Sequence, residues 1–265
     1  LTKKPIITLT TDLGLTDYYV AAAKGAILKM LPDVNIVDIS HEIPKYDIMK
    51  AAFNLRNVYS HFPDGTVHVV SVSAIEDEQT RHVAIRMHNQ YFIGADTGMF
   101  SLVFDDPAEE IVQLQGSSKA AIFPLLQSFA APACELASGK KLSAVGGKTE
   151  GFRKLLMPSA TISDKLLRGS IIYQDSYGNL MTNIRKRHFD DIGKGLPFII
   201  ELRNSKYNLN KIHQSYNEVG EGDPVAIFNY SGHLEIALNR ASAAKLLGLK
   251  VNDSIRIEFY DHQNR

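Results

Sequence analysis

The chain has 265 residues, with 29 Lys plus Arg against 29 Asp plus Glu and 45% hydrophobic residues. A formal net charge of zero excludes the chain-wide cation excess that nucleic-acid binders use to displace counterions from phosphates, though not a local basic patch. A single cysteine, Cys134, excludes an intrachain disulfide framework and a cysteine-built zinc cage, and 22% charged residues suit a folded chain rather than a disordered one.

Pro5 to Thr10 is a short, β-branched apolar run and reads as a buried strand. Thr11-Asp12-Leu13-Gly14 then forms a turn, with Thr16 or Asp17 placed to cap an alanine-rich helix from Tyr18 to Leu31. A strand is expected from Asn35 to Ser40, and a helix from Asp47 to Val58 with an apolar stripe at Ile48, Ala51, Ala52 and Leu55. Thr66 to Ser73, Val83 to Met87 and Tyr91 to Gly94 read as strands, and Ser128 to Gly139 as a helix ended by glycine. Alternating strands and helices predict an α/β/α domain with a mainly parallel sheet over residues 1–150. Residues 151–168 read as a linker. Residues 169–265 read as a smaller all-β domain, with strands at Ser170–Gln174, Pro197–Leu202, Pro224–Asn229, Leu234–Ala237 and Ser254–Phe259 and one short helix at Ser242–Leu247. No apolar run reaches the length of a membrane span, and Leu1 to Leu9 lacks the long apolar region and cleavage site of a signal peptide, so no membrane contact and a cytoplasmic location are expected.

Four clusters could carry chemistry. Thr10 to Asp17 follows a strand, where open α/β sheets bind ligands. A short carboxylate such as Asp12 can accept from vicinal hydroxyls, and it equally suits a helix cap. Asp38-Ile39-Ser40-His41-Glu42-Ile43-Pro44, with Tyr46-Asp47 after it, is the second cluster. Gly94-Ala95-Asp96-Thr97-Gly98 is the third, and Asp175-Ser176-Tyr177-Gly178-Asn179 with Thr182-Asn183 the fourth, each also readable as a turn. The nine histidines show no metal-ligand spacing, and His61, His82 and His88 read as surface or strand residues. No phosphate loop, nucleophile elbow or dinucleotide fingerprint is present.

Taken in order, these clusters resemble one family. Ile7 to Gly14, Lys24 to Leu28, Ile36 to Pro44, Phe62 to Val69, Asp175 to Asn183 and Gly232 to Asn239 look like the S-adenosylmethionine hydroxide adenosyltransferases and their relatives, the fluorinase and chlorinase. The resemblance implies an N-terminal α/β domain and a C-terminal β domain. It also implies a homotrimer with an adenine-nucleoside site between subunits, and attack of water or halide at ribose C5′ of S-adenosylmethionine. By similarity, Asp12 would bind the ribose hydroxyls and Tyr46 would stand beside the ribose and methionine. Asp175 would hold the methionine ammonium, Asn179 would read adenine, Tyr216 would pack on it, and Phe123 would line the wall near C5′. Asp17, Asn183 and Asn239 would be supports. No metal and no cofactor beyond the substrate is implied.

The sequence departs from the hydrolase branch at the groups that activate water. Ser73 stands where that branch has aspartate, and Pro124 where it has histidine; proline has neither a side-chain proton nor an N–H. Arg81 alone keeps its place and is the catalytic candidate. Ser73 is a candidate donor to an anion, but Pro124-Leu125 removes donors, which disfavours halogenation. Two readings follow: a hydrolase, with Glu76, Asp77 or Glu78 as base unless that acidic loop is merely solvated, or a nucleoside-binding protein without hydrolysis.

Overall fold

A computed structural model describes residues 4–75, 80–115, 121–156 and 159–261. The chain divides into two compact units, Leu1–Leu156 and Met157–Arg265. Among the described residues no helix is long and apolar enough to cross a membrane.

In the first unit, β1 (Ile6–Thr11) sends Ile7 and Leu9 to one face and Thr8 and Thr10 to the other, as the two-residue period of a strand requires. α1 (Tyr19–Met30) buries Val20, Ala23 and Ile27, one stripe of a helix. Its N-cap is Tyr18 with no side-chain capping bond, so the cap expected from Thr16 or Asp17 does not form. β2 (Asn35–Ser40) leads to α2 (Ile48–Arg56), which Asp47 caps by accepting from the Lys50 N–H at 2.8 Å. β3 (Val67–Ser71), β4 (His82–Met87), β5 (Gln90–Ala95), α3 (Phe100–Val103) and β6 (Glu110–Leu114) follow. A π-helical turn, Leu125–Phe129, runs into α4 (Ala130–Ala137), and β7 (Gly146–Lys148) closes the unit. The helix expected to begin at Ser128 therefore starts with a wider turn.

The strands lie in the order β2-β1-β3-β5-β4-β6-β7. β2, β1, β3 and β5 are mutually parallel, but β4 is antiparallel to β5 and β6, and β7 to β6. The sheet is thus mixed rather than mainly parallel. The cause is local: His88 (φ 50°) and Asn89 (φ 58°) form a two-residue left-handed turn that returns β4 directly onto β5. Apolar clusters cover both faces, one around Ile7, Leu9, Phe129 and α4, the other around Phe92, Phe100 and α2.

The second unit is antiparallel. β8 (Thr161–Ser163), β9 (Leu166–Gln174), β10 (Leu180–Arg185), α5 (Lys186–Gly193), β11 (Phe198–Glu201), β12 (Pro224–Phe228), β13 (His233–Leu238), α6 (Ala243–Leu247) and β14 (Ser254–Phe259) follow in sequence. The sheet order is β11-β14-β9-β10-β13-β12, with β8 on β9. Two helices make it more than all-β. α5 was not expected; its Phe189 packs edge-on against Phe198 at 4.9 Å and Phe228 at 5.4 Å. Within the segment 151–168, the Arg153 N–H bonds Asp96 Oδ1 at 2.8 Å, the Leu155 N–H bonds Ser101 Oγ at 2.8 Å, and residues 161–163 form β8.

Candidate functional site

Asp12 leaves the carboxyl end of β1, beside the ends of the parallel strands β2 and β3. Its Oδ2 accepts the backbone N–H of Tyr46 at 3.0 Å and of Ser73 at 3.5 Å. Both donors occupy the left-handed region, Tyr46 at φ 66° and Ser73 at φ 48°. Such conformations cost energy in a residue with a Cβ and concentrate where a structure is committed to function. Lys45 Nζ donates to the Asp12 carbonyl, so the Lys45–Tyr46 segment is fastened to Asp12 twice. The structure therefore brings Asp12, Tyr46 and Ser73 together. Among the described residues, Oδ1 of Asp12 is left to accept from a ligand. Asp17 is exposed in the turn before α1.

A hydrogen-bonded relay, buried at Thr11 and His41 and open at Asp38, supports this loop. Thr11 Oγ1 lies 2.8 Å from His41 Nδ1, and His41 Nε2 lies 3.0 Å from Asp38 Oδ1. Lys24 Nζ donates to the other Asp38 oxygen at 2.5 Å. Burial raises the Asp38 pKa, but the bonds from Lys24 and His41 outweigh it and hold the carboxyl below its ordinary value. The Gly14 N–H donates to the His41 carbonyl at 2.8 Å, tying the turn after Asp12 to the same histidine.

Arg81, the catalytic candidate, is bonded to groups of its own unit. Nε and Nη2 donate to Asp96 Oδ2 at 2.9 and 2.7 Å, Nη1 to Thr149 Oγ1 at 2.8 Å, and Nη2 also to the Gly151 carbonyl at 2.8 Å. The Asp96 side chain is 3% exposed. These are the bonds of a clamp that fastens residues 149–153 to the end of β5. Glu76, Asp77 and Glu78, the candidate bases, lie outside the described residues.

Phe123 packs edge-on against Tyr19 at 5.4 Å, and Tyr19 against Tyr18 at 4.4 Å, giving an aromatic wall on the apolar cluster of α1 and α4. Pro124 is the N-cap of the π-helical turn, the first-turn position where its missing N–H costs least. Of the two readings given to His82, surface or strand, the structure takes the strand. His82, the first residue of β4, is 6% exposed, with its ring edge-on to Phe129 at 4.8 Å and Nε2 3.2 Å from the Ala74 carbonyl.

In the second unit, Asp175, Asn179, Tyr216 and Asn239 line one cavity of about 620 Å³, together with Arg240 and Ser242. Asp175 Oδ1 accepts the N–H groups of Tyr177 at 2.9 Å and Asn179 at 2.8 Å, and Oδ2 accepts Asn179 Nδ2 at 3.0 Å. The Asn179 amide nitrogen is thus turned to Asp175, which leaves its oxygen for another donor. Gly178 (φ 88°) makes this turn possible, since a Cβ there would stand 2.1 Å from Ser242 Oγ. Tyr216 donates to Glu235 Oε1 at 2.6 Å, and Glu235, 2% exposed, also receives Asn229 Nδ2 at 3.2 Å. Burial, then that bond, raises the Tyr216 pKa, so the phenol stays protonated and its ring stays fixed at the cavity. Asn239 Nδ2 donates to the Val219 carbonyl at 2.8 Å. Asn183 lies away from this cavity's lining; its Oδ1 accepts the Ser170 N–H at 2.9 Å in the strand pairing. Among the described residues no group of three or more His, Cys, Asp or Glu is placed to hold a metal ion.

Comparison with known proteins agrees on both units. Residues 7–146 match the SAM hydroxide adenosyltransferase N-terminal domain, and residues 169–256 match its C-terminal domain. The chain is 28% identical to the (R)-S-adenosyl-L-methionine hydrolase of Thermus thermophilus, over 96% of this chain and 99% of that protein. It is 26% identical to a fluorinase of Actinoplanes sp., over 96% of this chain and 97% of the relative. The crystal structure of an uncharacterized conserved protein from Thermotoga maritima superposes with a TM-score of 0.85 at 26% identity, over 95% of this chain and 99% of that one. With both of its units matched in order, and relatives aligned along nearly their whole length, the chain belongs to the SAM (S-adenosyl-L-methionine) hydroxide adenosyltransferase family.

Proposed function

We propose that the chain binds S-adenosyl-L-methionine and hydrolyses it to adenosine and L-methionine, with water attacking ribose C5′. The observation that carries this reading is Asp12, whose carboxylate is fixed by two strained backbone donors with one oxygen left over. A carboxylate set this way suits a vicinal diol. In the same proposal Tyr46 flanks the ribose and Phe123 walls C5′. Asp175 receives the methionine ammonium, Asn179 and Tyr216 receive adenine, and Ser73, Asp17 and Asn239 support them. Arg81 acts by clamping residues 149–153.

The chemistry favours positioning over charge. The sulfonium loses its positive charge as methionine leaves, so an anion pressed on sulfur would favour the ground state over the transition state. A site that grips ribose, base and amino-acid tail, and leaves C5′ facing one water, lowers the barrier through orientation. The reading calls for no metal or organic cofactor. Halide transfer is not part of it, because Pro124 and Leu125 offer no side-chain donor.

The test is to incubate the pure protein with S-adenosyl-L-methionine, follow adenosine by chromatography and measure binding by calorimetry. Adenosine formation with saturable binding is expected. Binding without adenosine would leave the second reading, a nucleoside-binding protein, which the proton-free side chain of Pro124 favours; no binding would remove both. The homotrimer implied by the resemblance belongs to the proposal, and a fully active monomer by sedimentation would remove it.

A further inference from the structure

β13 carries a charge in the core of the second unit. All six of its residues, His233–Leu238, are buried, and Glu235 among them is 2% exposed. A carboxylate taken out of water is costly unless a cation pairs with it. Among the described residues none does: Oε1 accepts from the Tyr216 hydroxyl at 2.6 Å and Oε2 from Asn229 Nδ2 at 3.2 Å. In the sequence a charge within a strand reads as a solvent-facing position, and only the fold encloses it.

The partners of Glu235 are fixed as donors. Asn229 Oδ1 accepts the Ser231 N–H at 3.2 Å, the Ser231 hydroxyl at 2.9 Å and the His233 N–H at 3.1 Å. The amide nitrogen of Asn229 is therefore the group turned to Glu235, and it can only donate. With the phenol donating to the other oxygen, both oxygens accept, which is the role of an ionised carboxylate.

The other end of the phenol bond lies at the cavity that Asp175, Asn179 and Asn239 line. Tyr216 stands on a single 3₁₀ turn, Tyr216–Glu218, and is 39% exposed. A capping box between Ser215 and Glu218 holds the backbone of that turn, but it does not hold the Tyr216 side chain. Among the described residues the Tyr216 ring packs on no other aromatic ring and belongs to neither apolar cluster of the second unit. What fixes the ring is its bond to Glu235.

We infer that Glu235 is a positioning residue for nucleoside binding, which locks the Tyr216 ring at the cavity in the orientation that receives the base. This rests on the proposed function in one respect, that the adenine base sits in this cavity; hydrolysis itself is not required. A tyrosine free to rotate is ordered at the moment of binding, and that entropy loss weakens affinity. Glu235 orders the ring during folding instead. The same role accounts for a carboxylate in a core strand where an apolar residue would be less costly, since departures from the burial rule gather at functional sites.

The test is calorimetric titration of adenosine into the parent protein and its variants, with a thermal melt of each. Glu235→Leu removes the acceptor and suits an apolar strand. Tyr216→Phe keeps the ring and removes the donor. Glu235→Gln keeps the tether, because the phenol can donate to the amide oxygen or accept from the amide nitrogen. We expect Kd to rise about five- to tenfold in Glu235→Leu and in Tyr216→Phe, and to stay within about twofold of the parent in Glu235→Gln. A purely structural role would move the melting temperature and leave Kd alone. Parent-like affinity in either variant that lacks the tether would overturn the inference, as would a Glu235→Gln protein that binds as weakly as Glu235→Leu; the hydrolase reading would stand in both cases. Should Glu235→Leu fail to fold, Tyr216→Phe decides alone. A parent that binds no adenosine would remove this inference together with the placing of the base. A parent that binds adenosine and makes none from S-adenosyl-L-methionine would remove the hydrolase reading and leave this inference to the variants.

Discussion

Asp12 and Arg81 are both charged residues at the ends of strands, yet the structure uses them differently. Asp12 keeps an oxygen to spare, whereas Arg81 directs its N–H groups to Asp96, Thr149 and Gly151. Asp12→Asn keeps the shape and removes the charge. Charged hydrogen bonds are worth about 1.5–3 kcal/mol, so adenosine or S-adenosyl-L-methionine binding should weaken about 10- to 100-fold with the melting temperature nearly unchanged. Calorimetry beside a thermal melt reads both. Arg81→Ala strands the buried Asp96 carboxylate, and the urea midpoint should report a loss of about 3 kcal/mol. A variant as stable as the parent but inactive would put the guanidinium at the reacting centre instead. In the sequence Asp12 was legible as a candidate because the turn follows a β-branched run. The clamp on Arg81 was not, because Asp96 and Thr149 lie 15 and 68 residues away.

At the scale of elements, the strands with clean alternation or continuous β-branched runs were readable in the chain, among them β1, β2, β3 and β14. β10 was not. Its inward positions are Leu180, Thr182 and Ile184, and Thr182 is buried by bonding the Leu234 carbonyl at 3.0 Å, so a polar residue occupies a core position and hides the period. α5 was missed because Lys186-Arg187-His188 reads as a solvated run until Phe189 and Ile192 reach the core. The turn between β9 and β10 offers a direct test of how an element shapes the cavity. Gly178→Ala meets both a left-handed φ and Ser242 Oγ, the side chain that caps α6 by accepting the Lys245 N–H at 3.4 Å. A loss of about 2 kcal/mol is expected in denaturant unfolding, with weaker nucleoside binding in the folded fraction. A variant as stable and as tight-binding as the parent would show that this turn does not shape the cavity.

At the scale of the whole molecule, acid stability should be governed by buried neutral histidines. Gln90 donates its amide nitrogen to the carbonyls of Tyr59 and Phe62, which turns its oxygen to His68 Nε2 at 3.1 Å. Nε2 therefore carries the proton, and Nδ1 accepts from Thr8 Oγ1 at 2.8 Å. Burial drives the His68 pKa from 6.5 down to about 4, partly offset by the Gln90 bond. The unfolded chain then binds a proton that the folded one refuses. Above pH 6.5 this histidine costs nothing; between 6.5 and about 4 stability falls, by a total on the order of 3 kcal/mol. His82 and His188, also lowered by burial, act with the same sign. Urea unfolding followed from pH 7 to 4 should show the decline, and His68→Gln should flatten it; a flat parent profile would count against the buried neutral ring.

The sequence by itself determined the alternation of elements in the first unit, the change to strands in the second, and the ordered motifs that resemble one family. Those features are local, written in periodicity, turn residues and short spacings. The tertiary structure decided what depends on distant partners. The His88–Asn89 turn lays β4 back on β5 and makes the sheet mixed. Asp96 and Thr149 take up Arg81, and Ala74 and Phe129 enclose His82 with one nitrogen unpartnered. Whether a histidine in a strand is a core residue or a surface residue depends on the distant groups that enclose it, and that is settled only when the chain is folded.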